Sequence, residues 1–300
     1  MSEEIPVDGP RINPRSARYD LDGRSALVAT MHGKERVIAP VLREHLGLFC
    51  TEAVDFDTDR FGTFTREIDR TGSQRDAARA KAIAALSQYP SATIAIASEG
   101  SFGPHPGLPF AAVNVELVML VDRTTGLEIV GQHVAYGPSF VHDVVFDLNS
   151  AEAFAARVGF PRQGLVVMGC AAGQPSPLVF LAKGIVTAAD LAASVREAIV
   201  LCGAAFLETD LRAHMNPTRM LAIQQAARDL ARRYLRPCPD CGLPGYDIAE
   251  RIPGLPCEWC RLPTRVVKAE VYQCEGCGFR VEQSAGPMFA SPGECGNCNP

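Results

Sequence analysis

The chain has 300 residues, 47% of them hydrophobic, and a formal net charge of −5. That content supports one large or two modest cores, and the negative balance argues against a general nucleic-acid binder. No apolar run reaches the length of a membrane span, and the polar start, Met1 to Arg24, has no signal-like core; a soluble, cytoplasmic protein without a membrane partner is expected.

Residues 1–23 read as a flexible arm, punctuated by Pro6, Gly9, Pro10 and Pro14. Ser25 to Thr30 has a buried-strand pattern, and the loop His32, Gly33, Lys34, Glu35 leads into an amphipathic helix over 37–46. A strand over 48–56 precedes a polar loop holding Asp57, Asp59, Thr63 and Thr65. The alanine-rich stretch 74–89 is a strong helix former, residues 93–98 a strand, and Glu99 to Pro106 a Gly- and Pro-rich loop. Strands over 115–122 and 128–136 flank a turn at 123–126. Ser150 can cap a helix over 151–158, short strands follow at 165–168 and 178–182, and a long helix is predicted from Thr187 to about Leu207. Asn216 before Pro217 starts a last helix to about Leu235. The fold class is therefore α/β, a mixed sheet flanked by helices, with the α/β domain over 24–215 and a connecting helix over 216–236.

Eight of the eleven cysteines form four Cys-x-x-Cys pairs: Cys238/Cys241, Cys257/Cys260, Cys274/Cys277 and Cys295/Cys298. Such pairs suit tetrathiolate zinc sites, closed and therefore structural, and predict a double zinc ribbon over 237–300. Fifteen residues separate the first two pairs, seventeen the last two and thirteen the middle ones, so pairing in sequential order is expected. Four disulfides would call for an export signal. From Arg236 onward, six Arg and Lys face eight Asp and Glu, which makes the tail a poor phosphate tracker. Cys50, Cys170 and Cys202 lie in apolar contexts and read as buried hydrophobes.

Ligands of parallel α/β sheets sit beyond the carboxyl ends of the strands, so three loops should converge. His32 and Lys34 come from the first, Asp55, Asp57 and Asp59 from the second, and Glu99, Ser101 and His105 from the third. Lys34, at a loop-to-helix junction, can meet a phosphate. Asp57, Asp59 and Glu99 can hold magnesium and orient water, with His105 as proton shuttle. As a metal ligand, Glu99 would tolerate Gln with little loss of stability. A fourth cluster, Glu208 to Arg219, joins the last two helices, and its Arg212 and Arg219 can bind an anionic group.

The segments at 32–35 (HGKE), 61–65 (FGTFT), 97–106 (ASEGSFGPHP) and 208–219 (ETDLRAHMNPTR), ahead of a Cys-pair tail, resemble a bacterial family of unknown function, over nearly the whole chain from Leu27. The first hundred and forty residues are more loosely similar to the inosine-triphosphate pyrophosphatase superfamily of nucleotide hydrolases. That likeness rests on Thr30, His32 and Lys34 in the first loop, the Ala77 to Ala82 segment, and Glu99 at a strand end. It implies that Lys34 and Lys81 contact phosphate and that Glu99 binds a catalytic magnesium ion. The leading expectation is magnesium-dependent hydrolysis of a nucleotide or related phosphorylated small molecule. The alternative is a non-catalytic adaptor whose zinc ribbons bind a protein or nucleic-acid partner.

Overall fold

The computed structural model describes residues 17–30, 32–56, 72–105, 108–136 and 140–300. They divide into two units, residues 22–231 and residues 17–21 with 232–300.

The larger unit starts with β1 (Ser25–Ala29), α1 (Glu35–Leu46), β2 (Phe49–Glu52), α2 (Gln74–Gln88), β3 (Ile94–His105), β4 (Leu108–Asp122) and β5 (Leu127–Tyr136). Its strands form one sheet in the order β2-β1-β3-β4-β5. β2, β1 and β3 run parallel, and β4 and β5 add antiparallel. The sheet is mixed and flanked by helices, as the alternating pattern predicts. Helix α1 ends at Gly47, whose φ of 64° is one that glycine adopts without strain. Helix α2 opens with a reciprocal capping box between Ser73 and Asp76.

From β1 the chain moves to β2, then returns past β1 to β3, so right-handed crossovers place α1 and α2 on opposite faces. On the α2 face, Ala78, Ala82 and Ala85 meet Ala95, Ala97, Leu117 and Met119, and small side chains on both sides bring helix and sheet close together. The other face receives α5 (Pro217–Tyr234). Gly131 on β5 pairs with Val118, and a Cβ there would strike the backbone of Ala226 and Leu230. Only glycine permits that approach.

A second, four-stranded antiparallel sheet, order β6-β9-β7-β8, is built from β6 (His142–Val145), β7 (Leu165–Ala171), β8 (Gln174–Ile185) and β9 (Ala205–Thr209). Helices α3 (Leu148–Val158) and α4 (Ala188–Cys202) pack Phe154, Leu191 and Val195 against its Leu165, Val167 and Leu207.

Three local expectations change, and one strand is new. Residues 99–105, Gly-rich and predicted as loop, continue β3, because β4 supplies a ladder partner as far as His105. The long helix from Thr187 stops at Cys202, where Gly203 turns left-handed and frees the following apolar residues for β9. Asp147, not Ser150, caps α3, accepting a hydrogen bond from the Ser150 amide. The strand β6 was not expected, because His142 and Asp143 interrupt the apolar residues Phe140, Val141, Val144, Val145 and Phe146 around it.

The smaller unit contains an antiparallel sheet of β10 (Asp247–Pro253), β11 (Val267–Gln273) and β12 (Arg280–Ser284). Arg232, Arg233 and Arg236 converge on Asp247, at 2.8, 3.3 and 3.0 Å. Although burial opposes its charge, hydrogen bonding from Arg232 and the nearby guanidinium charges hold that carboxyl below its ordinary range. Among the described residues, no helix is long and apolar enough to cross a membrane.

Candidate functional site

The junction of β1 and α1 carries His32 and Lys34, and the ends of other elements bring charge to it. Lys34 occupies the N-cap position of α1 without a side-chain cap, so the positive end of a twelve-residue helix opens there. Its side chain is buried, 8% exposed, and Nζ donates a 3.5 Å hydrogen bond to the Ser98 carbonyl. No carboxylate among the described residues forms an ion pair with it. Burial, then the charges of Arg219 and Lys81, lower its pKa to about 7, while Glu99 and Glu116 pull the other way.

Period-two alternation separates those two acids. Glu99 lies beside Leu117 in the ladder and shares the α2 face, where it forms a buried ion pair with Lys81. Gln74, at the start of α2, donates hydrogen bonds to the Glu99 and Val115 carbonyls. Glu116 lies opposite Gly100 on the other face and accepts a 2.7 Å hydrogen bond from Arg219 Nε, both side chains fully buried. A Cβ on Gly100 would collide with this pair. The other oxygen of Glu116 and both polar atoms of buried Asn114, two residues earlier, have no hydrogen-bond partner among the described residues.

His32 stacks on His214, ring centroids 5.0 Å apart. Burial lowers the His32 pKa to about 4, and Lys34, His214, Arg219 and Arg212 all act in the same direction. His214 is lowered too, first by burial and then by Arg212. Arg212 is gripped by buried Asp210 through 2.6 to 3.2 Å contacts. The result is a cationic locus at a helix N-terminus, edged by two imidazoles whose protonated forms burial disfavours.

Of the residues singled out by sequence, His32, Lys34, Lys81, Glu99, Arg212 and Arg219 gather here. Ser101 lies two residues beyond Glu99, opposite Val115. Asp55 is exposed on the turn after β2 and makes no ion pair with Lys34 or Lys81. Asp57, Asp59 and the side chain of His105 lie outside the described residues. Sequence reasoning passed over His214 and Glu116. Glu116 had a signal: Asn114 and Glu116 are two polar residues at alternate positions of an otherwise apolar strand.

The eight paired cysteines form two four-cysteine clusters, with all ligand atoms of each within 4.8 Å of one another. Their pairing is interleaved: Cys238, Cys241, Cys274 and Cys277 make one, and Cys257, Cys260, Cys295 and Cys298 the other. This corrects the sequential order. The cause is register: Asp247 pairs with Gln273, which brings the first Cys pair beside Cys274, whereas Pro253 pairs with Val267 at the opposite end of the ribbon. Sulfur separations are 3.7 and 3.7 Å in the first cluster, 3.9 and 3.6 Å in the second. A tetrahedron with zinc–sulfur bonds of about 2.3 Å calls for roughly 3.8 Å, and a disulfide for about 2.05 Å. The clusters could hold zinc ions. Three of the pairs share one turn, in which the first Cys amide donates to the carbonyl five residues on and its carbonyl accepts from the amide four residues on. That fourth residue is left-handed, Gly242, Arg261 or Gly278.

The family model described as a domain of unknown function (DUF6671) matches residues 81–300. The chain belongs to that family. The DUF6671 match takes in Lys81, Glu99, Glu116, Arg212, His214, Arg219 and both cysteine clusters, while His32 and Lys34 precede it. No curated protein matches the chain, and the likeness to the pyrophosphatase superfamily gains no support from relatives.

Proposed function

We propose that the larger unit binds the phosphate of a phosphorylated small molecule at the β1–α1 junction and hydrolyses it, and that the two four-cysteine clusters each hold a structural zinc ion. The observation that carries the reading is Lys34: a buried amine at an uncapped helix N-terminus, with Arg219 and Arg212 nearby and no carboxylate among the described residues bound to it. An anion there would compensate the buried charge. In hydrolysis, the oxygen of the attacking water bonds to phosphorus as the bond from phosphorus to the leaving oxygen breaks, the water's proton passes by way of the His32 imidazole to that leaving oxygen, and Lys34 balances the charge on the phosphoryl group. Magnesium would need oxygen ligands from Asp57 and Asp59, because Glu99 is held by Lys81 and Glu116 by Arg219.

The test is a screen of nucleoside triphosphates, nucleoside monophosphates and sugar phosphates with purified, zinc-loaded protein, with and without magnesium, following release of phosphate or pyrophosphate. Turnover that Lys34→Ala abolishes supports the reading. Absence of turnover together with absence of phosphate binding overturns it. A second reading, a non-catalytic adaptor, is favoured by Trp259, 74% exposed between two cysteines of one cluster, and by exposed Leu262 and Met288 in the same unit. Phosphate binding without turnover would select a ligand-sensing adaptor of that kind.

A further inference from the structure

A pocket of about 430 Å³ opens between the N-terminal ends of α1 and α5, a size suited to a small organic ligand. Its wall is built at helical spacing. Pro217, Met220, Leu221 and Gln224 lie along one face of α5, and Gly33, Arg36 and Val37 at the start of α1. Ala213 and His214 close it.

Its two ends differ in chemistry. Gly33, Arg36 and His214 belong to the cationic locus, since Gly33 precedes Lys34 and His214 stacks on His32. The rest is apolar, apart from the Gln224 amide. Leu221, in that apolar part, is 62% exposed, so its side chain is open to a ligand. A hexose placed there would leave most hydroxyls without donors or acceptors, which is costly when they are withdrawn from water. A flat ring suits it better: Met220 offers a polarisable sulfur, and Arg36 and His214 offer planar cationic and aromatic groups for stacking.

We infer that this pocket receives an aromatic or heteroaromatic body joined to the phosphate, so that the ligand class is a nucleotide-like aryl phosphate and not a sugar phosphate or a bare inorganic anion. The inference rests on the phosphate-binding reading of the β1–α1 junction. It adds the other half of the ligand.

Calorimetric titration of the zinc-loaded full chain with inorganic phosphate, a hexose phosphate, para-nitrophenyl phosphate, adenosine monophosphate and adenosine separates the two. The aromatic phosphates are expected to bind about tenfold or more tightly than inorganic phosphate. Leu221→Ser, at an exposed position that should not disturb folding, is expected to shrink that ratio at least about threefold, while Lys34→Gln weakens every phosphate. If the hexose phosphate binds as well as the aromatic ones, or the aromatic advantage survives Leu221→Ser, the pocket assignment falls and the phosphate site stands. If adenosine binds with Leu221 dependence and phosphate adds nothing, the pocket stands and the phosphate reading falls. If none of the probes binds, both fall.

Discussion

Apart from Lys34, buried charge beside the β1–α1 junction is held in pairs on either face of one sheet, Lys81 with Glu99 and Arg219 with Glu116, and that arrangement sets what each residue can tolerate. Glu99, which as a metal ligand would accept Gln with little penalty, is instead the partner of buried Lys81. Glu99→Gln would strand the ammonium, at a cost of about 3 kcal/mol or more. Urea unfolding should show that loss, and an unchanged midpoint would mean that Lys81 finds another partner. The same crowding predicts a pH dependence with one sign. The His32 pKa falls from 6.5 to about 4 under burial and the charges of Lys34, His214, Arg219 and Arg212. The unfolded chain therefore takes up a proton between these values that the folded chain refuses, and stability declines as pH falls from 6.5 towards 4. Lys34, lowered from 10.5 to about 7 by burial and then by Arg219 and Lys81, against the pull of Glu99 and Glu116, extends the trend: the unfolded chain keeps a proton that the folded one sheds, so stability rises with pH from 7 to 10.5. His32→Gln should flatten the lower limb and Lys34→Met the upper one in unfolding curves of zinc-loaded protein. A Lys34→Met curve as steep as the parent above pH 7 would show that another group sets the slope.

Elements decide which distant residues meet, and here the two four-cysteine clusters are the clearest case. The cysteines themselves were legible from spacing, but their pairing was not, because β10, β11 and β12 place one cluster at each end of a ribbon that a count of intervening residues does not reveal. Interleaving has a countable consequence. Cys238→Ser with Cys274→Ser removes ligands from one cluster and should leave one zinc ion per chain, whereas Cys238→Ser with Cys257→Ser breaks both and should leave none. Elemental analysis that gives the reverse order would restore sequential pairing. The α/β alternation was equally readable, since buried strands and amphipathic helices differ in period. β3 beyond Ser98 was not, because its Gly and Pro content hides a strand that exists through pairing with β4. At the site, Lys34 and Glu99 announced themselves as polar residues around strand ends. Glu116 with Arg219, 103 residues apart, and His32 with His214 depend on α5 crossing the sheet, which no local pattern encodes.

At the scale of the whole molecule, the two units rest on different kinds of stabilisation. Residues 22–231 bury apolar clusters on both sheets, among them Phe56, Leu86 and Met119 in one and Phe154, Leu165 and Val195 in another. The smaller unit buries few large aliphatic side chains, chiefly Leu21, Leu255 and Val271, and its most enclosed positions include Cys238, Cys257, Cys274 and Cys295. A sheet of three short strands with so little apolar surface does not fold without a staple, and four thiolates drawn together without a cation repel one another. Chelation of the full chain should therefore unfold 237–300 while the α/β unit stays folded. Limited proteolysis should then cut within the Cys-pair segment and spare 22–231, thermal melts should keep the transition of the larger unit, and inorganic phosphate should still raise that transition through Lys34. Readdition of zinc should restore protection of the tail. Loss of both units on chelation would instead make the fold of the α/β unit, and with it the phosphate site, dependent on metal bound in the tail.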